Sequence, residues 1–176
     1  MGSRCRVPRG WIAAALASAL TAVYAAEGVT AELAPHQALA RELFRLLIET
    51  DTTHSSGDTT VAARAIEQKL LEAGFAREDV CVLEEVPRRG NLVARLRGRA
   101  GGPKPILLLA HLDVVGADRK DWSVDPFRFL ERDGHFWGRG TTDDKDQAAI
   151  HVANLIRLRR EGFVPERDIV VALTAD

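Results

Sequence analysis

Cysteine is scarce in these 176 residues: Cys5 and Cys81 are the only two. Cys5 lies in a basic N-terminal stretch ahead of an apolar run, so it is not placed for lipid attachment and would leave with a cleaved leader. Cys81 then stands alone, which excludes an intrachain disulfide. An exported chain without a disulfide must hold itself by its core or by a metal. Within VCVLEEV, Cys81 reads as a buried strand residue. Charge of one sign is lacking too. Lys and Arg number 24, Asp and Glu 25, with no run of like charge. That leaves no electrostatic case for nucleic acid or an anionic membrane surface. Three catalytic or phosphate-binding signatures are absent: G-x-S-x-G, G-x-x-x-x-G-K-[ST] and H-E-x-x-H. No internal repeat or low-complexity segment occurs.

What is present begins with a leader pattern. Arg4, Arg6 and Arg9 precede Trp11 to Ala25, a stretch without charge. A basic start, a short apolar run and small residues at Val23 and Ala25 predict a signal peptide over residues 1–25, cut after Ala25 or Ala26. The alternative is an uncleaved anchor, but the run is short for a membrane span. The expected location is therefore outside the cytoplasm, periplasmic or secreted, with no stable anchor after cleavage.

Residues 26–176 alternate helical and strand patterns, which predicts an α/β sheet covered by helices. Leu39, Leu43, Phe44, Leu47 and Ile48 line one face of a helix starting near Pro35. DTTHSSGD, Asp51 to Asp58, breaks it with turn formers. A second helix is expected from Thr60 to Ala73, stopped by Gly74. Val80 to Val86 and Leu92 to Leu96 read as strands. Ile106 to Ala110 is apolar throughout, as for a strand covered on both faces. Phe127 to Gly138 reads as a hairpin turning at Asp133-Gly134. Ala148 to Arg160 is helical, and Ile169 to Thr174 is a final strand.

Two stretches carry candidate chemistry. In AHLDVV, His111 and Asp113 follow an apolar strand. Ligands of open α/β sheets bind beyond the carboxyl ends of strands. Residues two apart on extended chain point the same way, so this His could ligate a metal while the carboxylate supports its ring. A polar cap after the strand is the plainer reading. In GRGTTDDKD, Asp143 and Asp144 sit just before a helix. They either cap that helix or supply hard oxygen ligands to a divalent ion, where one carboxylate can bridge two ions.

The ordered set HLDVV, DWSVDPF, GHFWGRGTTDDKD and DIVVALTAD resembles the first half of the M20 metallopeptidase catalytic domain, over roughly Ala34 to Asp176. That family includes carboxypeptidases, dipeptidases, aminoacylases and deacylases. The resemblance implies a three-layer, zinc-exopeptidase-like α/β domain with a mixed central sheet, incomplete at the C-terminus. It implies His111 as ligand to one metal, Asp113 as the active-site aspartate supporting it, and Asp143 as the carboxylate bridging two metals. Asp144 would follow the bridge through a peptide that is commonly cis, and Lys145 would be structural. Asp146 departs from the pattern, which prefers a small residue there. The cofactors implied are two divalent ions, zinc ahead of cobalt or manganese. The activity implied is hydrolysis of an amide bond in a small peptide or N-acyl amino acid, and Asp-Asp-Lys leans toward the carboxypeptidase and dipeptidase branches. A homodimer is implied for the full-length protein.

In the family, Asp176 matches the first residue of a triplet that continues with a general-base glutamate and a glutamate ligand. The expectation is that the chain is an N-terminal fragment, inactive alone. The competing expectation is a non-catalytic, metal-binding remnant. His54 and His135 read as solvated, His151, Trp122 and Trp137 as packing residues, and Arg157, Arg159 and Arg160 as a solvated helix face.

Overall fold

The computed structural model describes residues 32–175. The expected signal peptide, its cleavage point, Cys5 and Asp176 lie outside them. Helix α1 spans Pro35–Glu49, with proline at its start and Gln37 Oε1 accepting from the Ala34 amide at 2.9 Å. Leu43, Phe44, Leu47 and Ile48 form its buried face, as the spacing predicts. Helix α2, Thr59–Glu72, is capped by Asp58, whose carboxylate accepts from the Thr60 and Val61 amides. Strands β1 (Val80–Leu83), β2 (Asn91–Leu96) and β3 (Ile106–His111) follow. β1 is three residues shorter than expected, because Glu84 to Val86 leave the sheet. Strands β4 (Leu130–Arg132) and β5 (His135–Trp137) form the predicted hairpin, with positive φ at Asp133 and Gly134. Helix α3, Lys145–Arg160, starts three residues earlier than its apolar face suggests. Strand β6 is Ile169–Thr174, as predicted.

The main sheet has the order β1-β2-β6-β3 and is mixed. β2 is antiparallel to both β1 and β6, and β3 runs parallel to β6. One face joins Val80, Leu92, Ala94, Leu96, Ala110, Val171 and Leu173 to the apolar faces of the three helices in a single core. Burial of this kind stabilises by about 25 cal/mol per Å² of apolar surface. The small sheet docks on α1 through Phe44, Phe129 and Phe136, with edge-to-face contacts at 5.6 and 5.5 Å.

Two expectations about the other face need correction. Among the described residues β3 is an edge strand, and Leu107 and Leu109 are 56% and 59% exposed. An all-apolar strand is therefore covered here on one face only, because the helices among the described residues share one side of the sheet. Cys81 is exposed for the same reason. It alternates with the buried Val80 and pairs with Val93 on the uncovered side. Trp137 is also exposed, with the Arg132 guanidinium 4.7 Å from its ring centroid, while Trp122 is half-buried under Arg139.

Candidate metal centre

His111 is the last residue of β3, paired with Thr174 of β6 at the carboxyl ends of two parallel strands. Beyond it the chain continues through Leu112, whose amide donates to the Thr174 carbonyl at 2.8 Å. Asp143 and Asp144 close the Gly138–Asp144 turn that leads into α3. Gly140 in that turn has φ +87°, and a Cβ there would lie 2.9 Å from Lys145 Cδ and 3.0 Å from Val114 Cγ1. A side chain at Gly140 would push the turn off the His111 loop. The Asp143–Asp144 peptide is cis.

The turn delivers Asp143 to His111. His111 Nε2 lies 2.9 Å from Asp143 Oδ1, 32 residues on in sequence. On the other side of the ring, Nδ1 is 3.0 Å from the backbone carbonyl oxygen of Asp113. The Asp113 carboxylate is farther, with Oδ1 at 3.6 Å, buried and without a hydrogen-bond partner. The expected support of the ring by Asp113 is thus made here by its main chain. Asp144 is set back: its Oδ2 is 3.4 Å from the His111 amide, and its carbonyl accepts from the Ala148 amide at 3.1 Å. Asp146 stands in the first turn of α3, where the helix end favours a carboxylate, yet its Oδ1 is buried without a partner.

A carbonyl oxygen only accepts, so Nδ1 must carry the ring proton. A neutral His111 then turns an Nε2 lone pair toward a carboxylate oxygen. Two electron-pair donors at this separation repel each other, and a cation, either a proton or a metal ion, relieves the repulsion. The electrostatics point the same way. Burial pulls the His111 pKa down, but the Asp143 hydrogen bond, the Asp113 carbonyl and the two carboxylate charges outweigh it and hold the ring above its ordinary value. The donor set, one imidazole and one carboxylate with the second ring nitrogen fixed, suits a divalent ion. His111 and Asp143 would hold it; among the described residues no group of three or more His, Cys, Asp or Glu converges on one point.

Lys145 follows Asp144 in sequence and is fully buried. Its Nζ donates to the Leu47 and Thr50 carbonyls, at 2.7 and 2.9 Å, and so occupies the C-terminal end of α1. Burial pushes its pKa down to about 8, against the pull of Asp51 and Asp113. The loop after α1 is the part of the site that motif reading passed over as a helix breaker. Thr52 Oγ1 donates to the Leu112 carbonyl at 2.7 Å, and the Val114 amide donates to the Thr52 carbonyl at 3.2 Å. Burial alone would raise the Asp51 carboxyl. Bonds from the Thr53 amide and Ser56 hydroxyl, with the Lys145 charge, hold it below the usual carboxylate range. Only the two β-branched residues among the turn formers hinted at strand-like pairing there. His54 and His135 are exposed and outside this cluster, and His151 is half-buried on α3.

Residues 107–176 match the profile of Peptidase family M20/M25/M40. The chain is 41% identical over 83 residues, 46% of its length, to the N-fatty-acyl-amino acid synthase/hydrolase PM20D1 of Bos taurus, of which this covers 16%. It is 38% identical over 96 residues, 53% of its length, to a probable succinyl-diaminopimelate desuccinylase of Staphylococcus aureus, of which this covers 23%. Among solved structures, human carnosine dipeptidase 1 superposes with a TM-score of 0.64 at 19% identity, over 79% of this chain and 32% of that one. The last comparison establishes the fold. The chain thus spans less than a quarter of the length of either of these two curated relatives.

Proposed function

We propose that this chain, which corresponds to the N-terminal part of an M20 family metallopeptidase catalytic domain, serves a metal-dependent hydrolase of amide bonds in small peptides or N-acyl amino acids. The observation that carries the reading is the 2.9 Å approach of His111 Nε2 to Asp143 Oδ1, with Nδ1 held on the opposite side of the ring. The names of the sequence relatives favour acyl–amino acid amides, and that of the structural neighbour favours a dipeptide. An amide bond is common to all of them.

The roles follow from chemistry. His111 donates the Nε2 lone pair. Asp113 fixes the tautomer through its carbonyl and adds negative charge behind the ring. Asp143, with its side chain 84% exposed, has an oxygen to spare for a second ion, the bridging role. Lys145 ties the turn carrying Asp143 to the end of α1. The metal, two ions and zinc in our reading, would supply Lewis acidity and a water acidic enough to attack a carbonyl. We propose that the 176-residue polypeptide binds an ion but has no turnover by itself, since a catalytic zinc takes three protein ligands and His111 and Asp143 are two, with no third converging among the described residues. Export is proposed from Arg4, Arg6 and Arg9 ahead of Trp11 to Ala25.

The test is calorimetric Zn²⁺ titration of the chain, beside His111→Ala and Asp143→Asn. Saturable binding that either substitution abolishes supports the reading. Binding unchanged by both would sink it. Zinc-dependent amidase activity of the 176-residue polypeptide would overturn its proposed inactivity.

A further inference from the structure

Leu112 is where the backbone leaving β3 changes partner. Its amide still pairs with β6, through the Thr174 carbonyl, while its own carbonyl accepts from Thr52 Oγ1 at 2.7 Å. One peptide further on, the Val114 amide donates to the Thr52 carbonyl, and Thr53 and Val114 form an isolated parallel bridge. Thr52 and Leu112 are both fully buried.

These bonds fix both peptide planes that flank Asp113. A peptide is planar, and in the trans form its N–H and C=O point in opposite directions. The plane between Leu112 and Asp113 is fixed by the Thr52 hydroxyl on its oxygen. The plane between Asp113 and Val114 is fixed by the Thr52 carbonyl on its N–H. The oxygen of that second plane is the one that accepts from His111 Nδ1 at 3.0 Å. Thr52 is itself held: Asp51 Oδ1 accepts from the Thr53 amide, Lys145 bonds the Thr50 carbonyl, and Gly57 packs so closely that a Cβ would lie 2.4 Å from the Thr52 carbonyl carbon. A buried hydroxyl is costly unless bonded, and Leu112 supplies the bond.

We infer that Thr52 is a positioning residue for His111, setting the peptide planes around Asp113 so that Nδ1 is occupied and Nε2 presents its lone pair. The inference builds on the proposed metal site, but its first readout needs no metal. Thr52→Val removes the hydroxyl at nearly constant shape, and Thr52→Ser restores it. The imidazole ¹⁵N shifts of His111 report the tautomer in the metal-free chain, at a pH where the ring is neutral. A Zn²⁺ titration of the same resonances reports affinity. The expected result is a mixed tautomer and about 10-fold weaker Zn²⁺ binding in Thr52→Val, the scale of losing an outer hydrogen-bond partner, with Thr52→Ser matching the parent in both. A folded Thr52→Val chain with unchanged tautomer and affinity overturns the inference. Should Thr52→Val not fold, Thr52→Ser decides: a mixed tautomer despite its hydroxyl assigns Thr52 to packing. A parent chain that ignores Zn²⁺, while its His111 tautomer still responds to Thr52→Val, refutes the metal reading and leaves the positioning role in place.

Discussion

Lys145 Nζ reaches the carbonyl oxygen of Leu47 at 2.7 Å, although 98 residues separate them in sequence. One ammonium therefore joins the turn that carries Asp143 to the end of the first helix. Its side chain does so fully buried, serving a buried carbonyl at Leu47 and a part-buried one at Thr50.

Lys145→Met keeps most of the volume and removes the donor. Leu47 would then present a buried carbonyl, and Thr50 a part-buried one, without their present partner. The expected loss is roughly 2–4 kcal/mol, from one to two such groups and the missing charge at the helix end. Urea unfolding of the chain measures it. A loss within error would mean that the helix end is solvated and that Lys145 is not a tie.

Lys145 also gives an unusual pH dependence. Its folded pKa of about 8 lies below the unfolded value, so between the two the unfolded chain binds more protons. Stability from this group is lowest below about pH 8 and rises toward about pH 10.4, the ordinary lysine value. The parent should gain on Lys145→Met across that window, seen as a widening difference in unfolding midpoints. A difference that narrows as pH rises would contradict the burial.

Gly57 lies against the loop that carries Thr52. A Cβ there would sit 2.1 Å from the Thr53 nitrogen, a backbone atom that cannot swing away. Gly57→Ala should cost about 2–3 kcal/mol, toward the upper end for single substitutions. It should also speed hydrogen exchange at the Val114 amide, which bonds to Thr52. Slow exchange at Val114 in that variant would show that the loop yields elsewhere.

Cys81 is exposed on the open face of β1. Alkylation of the native chain, mapped by mass spectrometry, should modify Cys81 without denaturant. Protection until unfolding would show that something covers that face in solution.

The helices were legible because their apolar residues recur at three and four positions, a period nothing else satisfies. The strands were legible as strands, but not their surroundings. Ile106 to Ala110 is apolar on both sides, and no pattern inside it says that Leu107 and Leu109 stay open. Cys81 was misplaced for the same reason: alternation shows that a strand has two faces, not which one meets a helix. In the site, His111, Asp113 and Asp143 stood out through motif spacing. Thr52 did not, because its partner is a backbone carbonyl 60 residues away and backbone carbonyls have no sequence signature.

By itself, the sequence determined the donor types, their order, and the strand and helix that carry them. Those follow from local periodicity and from what His and Asp can bind. Only the tertiary structure decided that Asp113 meets His111 through its carbonyl, that Lys145 ends a helix, and that Thr52 fixes the planes between them. The last two are hydrogen bonds closing across 98 and 60 residues, and the first rests on the peptide planes that such bonds hold. Their geometry is set by packing that no local stretch contains.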